Sequence, residues 1–62
     1  MATTRDNRTL VPGVRIKVKF GGRWVPGVVT HVSGNRIHVD LTIDGADEPV
    51  TSLYRDYELT SA

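Results

Sequence analysis

Few side chains in this sequence carry reactive chemistry. His31 and His38 are its two imidazoles, Ser33 lies between them, and Asp40 follows His38 by two positions. On a strand that spacing puts His38 and Asp40 on one face, because side chains alternate with a period of two. A metal site needs three or four converging ligands, and only this loose set is visible. A Ser33, His38, Asp40 triad would need a pocket and an oxyanion-binding loop, and no segment around these residues supplies either. The absence of cysteine removes thiol catalysis, cysteine-held zinc and disulfide bracing together. The sequence points to no enzyme, no cofactor and no bound metal.

What remains is cations and aromatics. Arg15, Lys17 and Lys19 stand two positions apart, about 6.6 Å per step along a strand, which suits successive phosphates of a nucleic acid. With Arg23 and Arg36 they form a candidate surface for DNA or RNA, which Arg5 and Arg8 could extend. Phe20 and Trp24 flank Gly21-Gly22 and, with Tyr54, Tyr57 and Asp44, make a second candidate ligand site. The net charge of +1 conceals a division: residues 1–38 carry seven cations against Asp6, and residues 39–62 carry six acids against Arg55. Such a division fits a polyanion-binding face beside an acidic one. It equally fits neighbouring strands that neutralise each other.

The elements that must position these residues are short. At 62 residues the chain makes one small domain with a marginal core. Its longest apolar runs are two or three residues, too short for a membrane span or a signal-peptide core, so the expected location is intracellular, cytoplasm or nucleus. Residues 1–9 are polar and unperiodic, and read as a flexible arm without a core face. From there Val14, Ile16, Val18 and Phe20 alternate with Arg15, Lys17 and Lys19, as a half-buried strand requires. Gly21-Gly22, Ser33-Gly34-Asn35 and Asp44-Gly45-Ala46-Asp47 are turn signals. They predict strands near 14–20, 24–32, 36–43, 48–51 and 57–60, with Ser52 capping one helical turn through Leu53–Asp56. Val14, Ile16, Val18, Val29, Val32, Ile37, Val39, Leu41, Val50, Leu53 and Leu59 would form the core. Such a core has no room for a ligand, so function must sit outside, and alternation turns Trp24, Pro26 and Val28 outward as a possible self-association face.

Leu10 to Phe20, with Gly13 before a strand that ends in an aromatic, resembles the entry of a Tudor domain. Trp24-Val25-Pro26-Gly27-Val28-Val29 is similar to the second Tudor strand. Val39-Asp40-Leu41, the turn at Asp44-Gly45, and Val50 to Leu59 continue the pattern over about residues 10–60. The resemblance implies an all-β fold, a five-stranded antiparallel barrel of the SH3-like group with one short helical turn before its last strand. It also implies a non-catalytic module that recognises a protein or peptide, often a methylated lysine or arginine held in an aromatic cage. By position the cage residues fall on Phe20, Val25 and Leu41, with Asp44 as the acidic member, so the cage is degenerate. Nucleic-acid binding through the basic first strand is the alternative.

Overall fold

A computed structural model describes residues 2–62; Met1, the first residue of the expected arm, lies outside the described residues. Strands β1 (Arg15–Phe20), β2 (Arg23–Ser33), β3 (Arg36–Leu41), β4 (Val50–Arg55) and β5 (Thr60–Ser61) form one antiparallel sheet in the order β4-β3-β2-β1-β5. A single 3-10 turn, Asp56–Glu58, links the last two. The all-β class, the five strands and the one helical turn agree with the sequence pattern.

The β1–β2 hairpin forms where glycine permits it. Gly21 and Gly22 both adopt positive φ (58° and 81°), which a primed two-residue turn demands and side-chain-bearing residues resist. From that turn the register follows directly: Phe20 pairs with Arg23, Lys19 with Trp24, Val18 with Val25 and Lys17 with Pro26. Pro26 costs β2 one donor, yet its carbonyl still accepts from the Thr42 N–H at 2.9 Å. Farther along, β2 carries one extra residue between Val29 and His31 in its pairing with β3. This bulge resets the alternation, so Val29 and Val32 both face the core although three positions separate them.

Leu10, Ile16, Val18, Val25, Val29, Ile37, Val39, Leu41 and Leu59 make the buried cluster. At roughly 1.5–3 kcal/mol for each fully buried aliphatic side chain, these nine are the main driving force of so small a fold.

Several expectations are corrected. β4 begins and ends later than residues 48–51, the helical turn sits at Asp56–Glu58 instead of Leu53–Asp56, and it displaces the last strand from 57–60 to Thr60–Ser61. Ser52 is a strand residue paired with Val39: six ladder partners on β3 outweigh one local side-chain cap. Leu53 is not core but pairs with His38 on the outer face, 55% exposed, and Tyr54 packs against the core in its place. Val50 shares the inner face with Leu41, its partner, but lies on an edge strand and remains exposed.

Residues 2–10 do possess a core face. Leu10 and Thr4 are buried, Thr3 bridges Thr9, and the Arg5 N–H donates to the Leu59 carbonyl at 3.0 Å. Thr4 organises this loop, its hydroxyl accepting from the Arg8 N–H at 2.8 Å and donating to Asp6. Asp6 in turn accepts from both the hydroxyl and the N–H of Ser61, fastening the loop to β5. No apolar periodicity announces such a loop, because hydrogen bonds to distant residues hold it together.

Candidate nucleic-acid interface

Six of the eight arginines and lysines lie in strands, whereas six of the seven acids lie in the loops and the 3-10 turn. Alternation from the buried residues then assigns faces. Arg15, Lys17 and Lys19 on β1, Arg36 on β3 and Arg55 on β4 point away from the core, with His31 and His38; Arg23, opposite Phe20, belongs to the other face. Among the described residues Asp40 is the only acid in any strand, and it accepts from the Thr51 hydroxyl at 3.0 Å. The sequence division between halves therefore becomes a spatial one, a cationic sheet surface with acidic ends.

Register organises the near end of this surface. Lys19 lies opposite Trp24, Lys17 opposite Pro26 and Arg15 opposite Val28. Trp24 is 49% exposed, and its ring draws both lysines, with Nζ of Lys17 at 5.4 Å and of Lys19 at 5.1 Å from the centroid. Each contact contributes about 0.5–1 kcal/mol at such an exposed site. Arg8 shares a surface groove with Arg15, Gly13 and Val14, continuing the cations beyond β1. At the opposite end Arg36 and Arg55 are direct cross-strand partners, an arrangement that destabilises unless an anion intervenes. Arg55 is absent from the sequence-based candidates because it is the only cation among six acids; its face becomes visible only through the β3–β4 pairing.

The proposed aromatic site is not assembled as one cluster. Phe20, Arg23 and Asp44 line a groove of about 330 Å³ with Val25, Pro26, Thr42 and Ile43. Trp24 contributes to its rim, but its ring lies among the lysines of the outer face. Tyr54 pairs with Ile37 at the far end of the sheet, and Tyr57 stands 66% exposed on the 3-10 turn. Val25 and Leu41, the remaining cage positions, are buried in the core. Among the described residues Phe20 and Trp24 are the aromatics that line the groove, where a cage needs three or four.

His31 and His38 meet edge to face across β2 and β3, with ring centroids 5.4 Å apart. Among the described residues no three histidine or acidic side chains converge as a metal-binding group, and no helix is long and apolar enough to cross a membrane. The ionisation of Asp6 is displaced in its clasp with Ser61. The Ser61 hydroxyl, followed by the Thr4 hydroxyl and the Ser61 N–H, stabilises the carboxylate and holds its pKa far below the ordinary range.

Fold and site together define a small five-stranded antiparallel β domain with a cationic sheet face. The model of the ProQ C-terminal domain family matches residues 6–42, more than half of the chain and all of β1 to β3, and the chain belongs to that family. No curated protein and no solved structure matches it significantly.

Proposed function

We propose that this domain binds RNA, without catalysis, through the outer face of its sheet. The observation that carries the reading is the placement of five of the six strand cations on one face, with the acids outside the strands save Asp40. Membership in the ProQ C-terminal domain family, an RNA-binding domain, favours RNA over DNA. The strand order and the 3-10 turn before β5 support a Tudor-like barrel of the SH3-like group as the scaffold. A protein or peptide reader would use the Phe20 groove, and burial of Val25 and Leu41 leaves that groove without the rings to grip a methylated cation.

Fluorescence anisotropy with labelled RNA at several salt concentrations tests the proposal. The double variant Lys17→Ala, Lys19→Ala should lower the log–log salt slope on single-stranded RNA by about 1.4, two phosphate contacts at about 0.7 each. All sequences should weaken about equally. A flat anisotropy baseline at about 0.15 M salt with tens of micromolar protein would overturn the reading, since even non-specific binding lies at about 10⁻⁴–10⁻⁶ M.

A further inference from the structure

We infer that β1 and β2 form a two-rail track for unpaired nucleotides, in which Trp24 takes the face of a base. The inference rests on the RNA-binding reading and specifies the kind of RNA and the residue that reads it.

The register carries the argument. One rail is cationic: Lys19, Lys17 and Arg15 on β1. The other is apolar: Trp24, Pro26 and Val28 on β2, each directly opposite one of those cations and each exposed. Neighbouring strands lie about 4.8 Å apart and four residues of strand extend about 13 Å, so the track is as long as about two to three extended nucleotides. A single strand presents phosphates along one edge and base faces along the other. A duplex does not, because its base faces are covered by their neighbours and only edges line its grooves.

Trp24 fits the part. Its ring is half exposed at the hairpin end, and the groups held over it are the two lysine ammoniums. Those contacts are weak enough to exchange, so an arriving base can take the indole face while Lys17 and Lys19 turn to the phosphates beside it. Base-to-aromatic stacking tolerates any sequence, because every base has a π-face. A second copy of this chain suits the same surface poorly: two-fold pairing of the face would oppose its own row of cations.

Trp24 is the only tryptophan, so its emission reports this ring alone. Three probes of equal length would be titrated: oligouridine, an abasic ribose-phosphate oligomer and a blunt RNA duplex. Oligouridine should quench Trp24 emission, and the abasic chain should bind without quenching. In anisotropy with labelled probes, Trp24→Ala should weaken oligouridine about ten-fold while changing the abasic and duplex affinities less than about two-fold. Trp24→Phe should restore most of the loss. Equal weakening of all three probes, or oligouridine binding with unchanged emission, would overturn the track and leave a plain phosphate-binding face. Concentration-dependent dimerisation abolished by Trp24→Ala would overturn it in favour of a second copy. Failure of every probe to bind would instead overturn the RNA-binding reading beneath it.

Discussion

A Cβ built on Gly27 would lie 2.8 Å from Leu41 Cδ2 and 2.9 Å from the Asp40 carbonyl oxygen. The first atom belongs to a fully buried side chain and the second to the backbone of β3, so neither yields cheaply. Gly27→Ala should therefore cost about 1–3 kcal/mol through overpacking, seen as a lower thermal midpoint. An unchanged midpoint would show that β2 and β3 separate more easily than this contact implies. The same substitution reaches the interface, since Gly27 stands between Pro26 and Val28 and its displacement would disturb both. At this scale much was readable in advance. The alternation of Arg15, Lys17 and Lys19 and the turn chemistry of Gly21-Gly22 are local facts, and they place Trp24 on the face it occupies. Arg55 was not readable, because what surrounds it is its partner strand and not its sequence neighbours.

Among the elements, the loop of residues 2–10 and β5 depend on each other. β5 is only two residues long and pairs with β1 through Ile16 and Lys17. Asp6 reinforces it by holding Ser61. A carboxylate whose folded-state pKa is depressed releases its proton more readily in the folded chain, so the unfolded chain binds more protons in acid. The clasp thus contributes fully above about pH 4, and its contribution is lost as pH falls below that range. Acid unfolding followed by circular dichroism should show a shallower decline in Asp6→Asn than in the parent. Identical acid limbs would show that Asp6 does not couple the loop to β5. The carboxylate is open to solvent, so the effect should also shrink at high salt. The loop and the late start of β4 escaped the sequence for one physical reason: both are fixed by partners many residues away. The turn expected after Ser52 was a sound local preference, and it yielded to a ladder that only the folded sheet supplies.

For the whole molecule, the arrangement of charge matters more than its total of +1. Asp44, Asp47 and Glu48 lie in the loop between β3 and β4, at the hairpin end of the sheet, where Asp44 shares the Phe20 groove with Trp24, while β2 separates β3 and β4 from the lysine row of β1. At physiological salt the screening length is about 8 Å, so acids beyond it should barely influence a bound phosphate chain. Asp47→Asn with Glu48→Gln should then change RNA affinity less than about two-fold at about 0.15 M salt and tighten it clearly near 0.01 M, where screening reaches about 30 Å. Strong tightening already at physiological salt would mean that the RNA passes along this loop.

The bulge at Thr30 also divides β2 into two independent reading frames. In a regular strand, removing one residue turns everything beyond it inside out. Here the strand already holds one residue more than β3 can pair. Loss of Thr30 would leave Val29 inward, His31 outward and Val32 inward, the same phase as before, whereas loss of Val29 just upstream would turn Trp24, Pro26 and Val28 toward the core. The segment from Arg23 to Val29, which carries one rail of the interface, is thereby insulated from changes of length in the second half of its own strand. Evolution or design can remodel the far end of the sheet, with its paired arginines, without disturbing the tryptophan end.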